Sequence, residues 1–241
     1  HEGALPSVPR SIQDPLTSNA VNVEGTLNVI LASRDHGVRR LVFASSSSVY
    51  GDLPGMPRRE DQPVAPLAPY AVAKLAAERY VVVANNVFGV ETVALRYFNV
   101  FGERQDPSSG YAAVIPKFIN LMLSGQRPMI HGDGSTSRDF THIDNVVAAN
   151  LAAATASGVE GLVVNVAMQQ THTLNELVST LNGLLGTSIA AEHGPPRPGD
   201  VPESMADISL ARRLLGYEPS VTFDMGLQRT IDHLRDTAPA R

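Results

Sequence analysis

Cysteine is absent from the 241 residues, which excludes disulfides and thiolate chemistry and suits a cytoplasmic protein. Lysine is nearly absent as well: it occurs only at Lys74 and Lys117, and arginine carries almost all other positive charge. The net charge of −5 and the pI near 5.8 leave no basic field for a nucleic-acid backbone, and the arginines are scattered, so no nucleic-acid partner is expected. No apolar run reaches the ~18 residues that span a bilayer, because Asn, Gly and Glu interrupt even the Ala/Val-rich stretch 146–167, so no membrane partner is expected. The histidines lack metal-ligand spacing, and no metal site is expected.

Against that scarcity the position of one lysine is informative. Lys74 stands four residues after Tyr70, with Ser46 upstream at the end of an apolar run. The i, i+4 spacing puts phenol and ammonium on one helix face. A tyrosine acting as a base near neutral pH must lose about three units from its ordinary pKa of ~10, roughly 4 kcal/mol of differential stabilisation, and a neighbouring cation can supply part of it. The Ser46 hydroxyl can hydrogen-bond the same reacting oxygen. Six tyrosines and so few lysines make a chance Tyr-x-x-x-Lys rare.

At 43% hydrophobic the chain can bury a substantial core. Asp14-Pro15 reads as an N-cap and first helical position, opening a helix that runs to Gly37. Residues 39–45 read as a strand buried on both faces, the Pro-rich loop 51–69 as a connection, 70–88 as a long helix ended by Gly89, and 91–98 as the next strand. Strand, helix, strand at these lengths is a βαβ unit of a parallel sheet, whose ligands bind beyond the carboxyl ends of its strands, where Ser46 and Asn99 fall. Further on, 115–124, 144–156, 173–185, 210–215 and 225–234 read as helices, the third begun by a Thr-x-x-Glu capping box, with strands at 129–131 and 162–167.

The motifs, taken in order, resemble the extended short-chain dehydrogenase/reductase family, specifically its nucleotide-sugar 4-epimerases of the UDP-N-acetylglucosamine type. They are His1-Glu2-Gly3-Ala4 with Ser7-Val8-Pro9-Arg10-Ser11, Ser45 to Gly51, Tyr70-x-x-x-Lys74, Arg96 to Gly102, Gly132-Asp133-Gly134, Ser137-Arg138-Asp139-Phe140 and Arg197-Pro198-Gly199-Asp200. The resemblance implies an α/β fold: a Rossmann-like doubly wound parallel sheet with a smaller mixed α/β substrate domain. On that pattern the NAD-binding domain takes residues 1–98 and 141–167, and the nucleotide-sugar domain 99–140 and 168–241. The family's opening strand and glycine-rich phosphate loop have no counterpart here, so about 75 to 80 family residues are expected to lie upstream of His1, by typical βαβ length.

The resemblance also assigns roles. NAD is the implied cofactor and a UDP-sugar the implied substrate. Ser46, Tyr70 and Lys74 are the implied catalytic trio; Gly3, Ala4, Tyr97 and Phe98 adjoin them at the cofactor. Lys74 is further expected to lower the Tyr70 pKa. For the substrate, Arg138, Arg197, Asp200 and Asn99 are implied at the diphosphate, ribose or sugar, Val114 and Met129 at the uracil, Ser47 beside Ser46, and Ser204 where epimerases restricted to UDP-glucose carry tyrosine. Dehydratases of the family resemble one another in carrying Asp-Glu after the serine; here Ser47 and Ser48 stand there, favouring oxidation and re-reduction at C4 without elimination. Asn22 matches a fourth active-site position or is a buried helix-bending residue. The equivalents of the two long helices form a dimer contact in the family, implying a homodimer. A UDP-glucose 4-epimerase, another nucleotide-sugar oxidoreductase or dehydratase, a fragment inactive as given, and a non-catalytic sensor on the same fold stay open.

Overall fold

The computed structural model describes residues 1–107, 113–196 and 201–237. Two short helices, α1 (Val8–Gln13) and α2 (Pro15–Asn19), lead through a π-helical turn at Ala20–Glu24 into α3 (Gly25–Asp35). The helix expected to run from Asp14-Pro15 is therefore interrupted at Asn22. Its side chain accepts the Leu5 N–H at 2.7 Å and donates to the Leu5 carbonyl at 3.1 Å, tying the incoming chain to the turn. Next come β1 (Arg40–Ser46), a 3-10 turn at Ser47–Tyr50, α4 (Pro69–Phe88) and β2 (Glu91–Tyr97). Proline at the first position opens α4, and Gly89 in the left-handed region closes it.

Three of these strands form the parallel sheet β1-β2-β7, β7 being Leu162–Val166, with Ser46 level with Tyr97 and Tyr97 with Val166. Alternation along the strands sends Leu41, Phe43 and Ala94 against Ile30 of α3 and Ala77 and Val81 of α4. Val93, Leu95 and Val164 face the other way, against α6 (Ile143–Thr155) and α8 (Ser209–Leu215). The sheet is thus covered on both faces, the doubly wound arrangement expected of near-continuous apolar strands. The segment beginning at His1 lies along the other edge of β1, the His1 carbonyl accepting the Ala44 N–H at 3.2 Å.

A second core gathers Phe101, Phe118, Ile119, Phe140, Leu177, Leu181, Phe223 and Leu227 between α5 (Val114–Leu123), α7 (Leu174–Leu185) and α9 (Phe223–Thr237). Short strand pairs frame it: β3 (Val100–Phe101) with β6 (Thr141–His142), β4 (Met129–His131) with β9 (Glu192–Gly194), and β5 (Ser137–Arg138) between β8 (His172–Thr173) and β10 (Glu203–Ser204). Asp139 joins the two cores. Its buried carboxylate accepts the N–H groups of Met168, Gln169 and Ala206 at 2.8, 3.0 and 3.2 Å, while burial raises its pKa to about 6. Among the described residues no helix is long and apolar enough to cross a membrane.

Candidate active site

At the carboxyl ends of β1 and β2 the chain encloses a cavity of about 800 Å³. Ser46, Ser47, Tyr70, Tyr97, Phe98, Asn99, Arg138 and Ser204 all line it. Backbone geometry brings them there. β1 ends at Ser46 in extended conformation and the chain turns at once into the Ser47–Tyr50 turn, while α4 begins at Pro69 and so presents Tyr70 from its first turn. The Tyr70 N–H is fixed by the Ser11 hydroxyl at 3.0 Å. Asn99 sits at a positive φ of 36°, which asparagine tolerates better than most residues, and its side-chain amide donates to the Asp139 carbonyl at 3.2 Å.

The serine turn is a directed chain of hydrogen bonds. Ser46 Oγ accepts both the Ser48 N–H at 3.2 Å and the Ser48 O–H at 2.9 Å. With two donors already pointing at it, its own proton is left to donate onward, and Tyr70 lines the same cavity. Burial holds the Tyr70 pKa above its ordinary value, and the Ser46 hydroxyl acts in the opposite direction.

Lys74 departs from expectation. Its side chain is buried, and Nζ donates to the Ala44 carbonyl at 2.8 Å, 5.0 Å from the Phe43 ring centroid. Burial lowers its pKa to about 8, with Glu2 acting upwards. The ammonium is turned to the strand backbone, and the groups that move the Tyr70 pKa are burial and Ser46. Tyr97 also points away from the cavity at its tip: the phenol donates to Glu2 Oε1 at 2.8 Å and meets Asn150 Oδ1 at 3.0 Å, with burial and Glu2 raising its pKa.

Several expected residues are not brought to the cavity. Gly3 and Ala4 stand on the segment beside β1. Val114 is drawn into the second core at the start of α5, so its neighbour Ala113 is the one lining the cavity. Met129 sits on β4 at 38% exposure. Arg197 and Asp200 lie outside the described residues.

Residues that sequence reasoning passed over matter as much. Beneath the cavity Arg96 and Glu78 form a fully buried pair, Nη2 to Oε1 at 2.8 Å and Nε to Oε2 at 2.9 Å, and Ser45 Oγ donates to Glu78 Oε2 at 2.7 Å. Arg96 lies 4.6 Å from the Tyr50 ring centroid. Tyr50 in turn donates to Asn165 Oδ1 at 2.8 Å, so the serine turn rests on a buried polar network. The signal was a lone Glu on the apolar face of α4 opposite a lone Arg in an apolar strand. Arg58, in the proline-rich loop, lines the cavity too, and nothing in its local sequence marks it.

A family model described as the NAD dependent epimerase/dehydratase family matches residues 1–167. A UDP-glucose 4-epimerase of Mycolicibacterium smegmatis is 38% identical over 237 residues, 98% of this chain and 75% of that protein. A UDP-glucuronate 4-epimerase of Thermodesulfobacterium geofontis is 33% identical over 235 residues, 96% of this chain and 70% of that protein. Among solved structures, a UDP-N-acetylglucosamine 4-epimerase from Methanobrevibacter ruminantium M1, in complex with UDP-N-acetylmuramic acid, superposes with a TM-score of 0.94 at 38% identity, covering 98% of this chain and 76% of that one.

Proposed function

The chain belongs to the NAD dependent epimerase/dehydratase family, and from that premise we propose that it interconverts the C4 epimers of a UDP-hexose, with UDP-N-acetylglucosamine and UDP-N-acetylgalactosamine as its pair. The observation that supports this reading is that Ser46, its Oγ accepting the Ser48 hydroxyl, and Tyr70 line one cavity at the end of β1, with Lys74 one turn further along α4.

The residues present fit the nicotinamide half of the cofactor. Lys74 is a buried ammonium with three protons, and among the described residues its one hydrogen-bond acceptor is the Ala44 carbonyl, so donors remain for ribose hydroxyls. Tyr97 and Phe98 flank the same strand ends. NAD, when bound, accepts a hydride from the sugar and returns it.

The chain's own groups handle the proton. Tyr70 takes it from the sugar 4-hydroxyl and gives it back to the 4-keto sugar, the positive nicotinamide, when bound, offsetting the burial that raises its pKa, and Ser46, polarised by Ser48, holds the reacting oxygen. With serines at 47 and 48 no carboxylate beside Ser46 can take a second proton, so elimination of water is not supported and the product differs from the substrate only at C4. Arg138 and Asn99, on the opposite wall, suit the diphosphate that tethers a turning intermediate. Serine at 204 leaves room for an N-acetyl group where tyrosine would fill the space.

We assign residues 1–98 and 141–167 to the cofactor and 99–140 and 168–241 to the sugar nucleotide, although residues 206–217 of the latter pack in the sheet core. A homodimer and a cytoplasmic location belong to the same reading. Leu16, Val21, Val72, Tyr80, Val83 and Val87 leave an apolar face exposed along α2, the π turn and α4, which a second copy would cover. The test is product analysis: full-length NAD-loaded protein given UDP-N-acetylglucosamine should yield UDP-N-acetylgalactosamine by proton NMR. A 4-keto-6-deoxy product, or none, would refute the reading.

A further inference from the structure

Glu2 carries a charge that the proposed chemistry does not use. Its neighbour ties it to β1: the His1 nitrogen donates to the Val42 carbonyl at 2.7 Å, and the His1 carbonyl accepts the Ala44 N–H at 3.2 Å. The carbonyl of the same Ala44 accepts Lys74 Nζ at 2.8 Å. Glu2 therefore follows directly on the stretch of backbone that is bonded to the residue Lys74 grips.

A chain of donors aims its carboxylate. Asn150 Nδ2 donates to the Tyr97 hydroxyl at 2.8 Å, and that hydroxyl donates to Glu2 Oε1 at 2.8 Å. Asn150 is steadied on α6, its amide also donating to the Val146 carbonyl one turn back at 2.8 Å. A phenol has one proton to give, and an ionised acceptor takes the stronger bond. Burial and Glu2 both raise the Tyr97 pKa, which keeps that proton in place. The same carboxylate is felt at Lys74, whose pKa it raises against the effect of burial. Glu2 thus acts on both Lys74 and Tyr97, the two side chains assigned above to the nicotinamide half of the cofactor.

Oxidised nicotinamide is a cation and reduced nicotinamide is neutral. A buried ammonium beside it favours the reduced form, and a carboxylate facing the same groups favours the oxidised one. Resting on the function proposed above, we propose that Glu2 sets the redox poise of the bound cofactor, offsetting the charge of Lys74 so that the nicotinamide comes to rest oxidised after each turnover.

The test uses the full-length protein as wild type, Glu2→Gln, Glu2→Asp and Glu2→Ala. Each is equilibrated with NAD and NADH together, and the bound ratio is read from NADH absorbance and from the total cofactor released. Glu2→Gln keeps an oxygen for the Tyr97 hydroxyl and removes only the charge. Glu2 is exposed, so solvent screens it, and the bound ratio should shift toward NADH by ~5-fold in Glu2→Gln, the size expected of one screened charge at close range. Glu2→Ala should show the same shift, and Glu2→Asp should retain most of the wild-type ratio. An unchanged ratio in Glu2→Gln, or equal weakening of NAD and NADH, would mean that Glu2 only shapes the edge of β1; a shift in Glu2→Ala alone would assign the effect to the bond with Tyr97. Each of these overturns the proposal, as would failure of the wild type to bind either cofactor. The assay needs no sugar, so it stands apart from the epimerase reading. A shifted ratio in a protein that epimerises no sugar would support this inference while refuting that reading, and an unshifted ratio in an active epimerase would do the reverse.

Discussion

Replacing Lys74 by methionine is expected to raise stability while removing activity. The side chain is 4% exposed, with one hydrogen bond among the described residues, to Ala44 at 2.8 Å, and burial holds its pKa at about 8 against 10.5 for the free side chain. That difference of about 2.5 units corresponds to about 3 kcal/mol opposing the charged side chain in the fold. The folded value is the lower one, so the unfolded chain binds more protons between pH 8 and pH 10.5. Stability from this group therefore rises with pH through that window, and the penalty is complete below it. Methionine fills similar space without charge but forfeits the bond to Ala44, worth about 1 kcal/mol. The net gain is about 2 kcal/mol at pH 7 and vanishes as pH rises, leaving the variant slightly the less stable near pH 10.5. Urea unfolding of cofactor-free wild type and variant at both pH values measures it, the m-value serving as a check on the unfolded state. A variant less stable than wild type at pH 7, or an advantage that grows with pH, would refute the reasoning.

Two further substitutions probe the site and its foundation. Ser204→Tyr should abolish turnover of the N-acetylated sugars while sparing UDP-glucose and UDP-galactose, since a rigid ring excludes a larger group more sharply than an open pocket rejects a smaller one; unchanged turnover of UDP-N-acetylglucosamine removes Ser204 as the gate. Glu78→Gln leaves Arg96 buried without its counter-charge and should cost about 3 kcal/mol in chemical denaturation, whereas the double change Glu78→Leu with Arg96→Met should cost much less than the sum of its single changes, and additive losses would contradict a coupled pair.

Much of the architecture is legible because its elements are long and their periods clean. Arg40–Ser46, Glu91–Tyr97 and Leu162–Val166 are apolar runs too short for helices, and Pro69–Phe88 carries its own start and stop residues. The π turn around Asn22 is not legible, because it depends on a side-chain bond to Leu5 seventeen positions away. Strands of two or three residues, such as Ser137–Arg138 or Glu203–Ser204, are too short for any alternation to register. The same division holds in the site. Tyr70 and Ser46 stand out by spacing along one helix and one strand end. The orientation of Lys74 toward Ala44 follows from packing against Phe43, and the placement of Arg58 from pairing with Met205 and Asp207, neither of which a local window contains.

The central claim is that Tyr70 moves the proton in a C4 epimerisation, and one comparison tests it most directly. Full-length NAD-loaded wild type and Tyr70→Phe are given UDP-N-acetylglucosamine, the C4 epimer is followed by NMR, and sugar-nucleotide affinity is measured in parallel. Turnover should fall by at least ~10² in the variant with affinity little changed, the signature of a group that acts only as the reaction proceeds. Near-normal turnover by Tyr70→Phe would contradict the assignment.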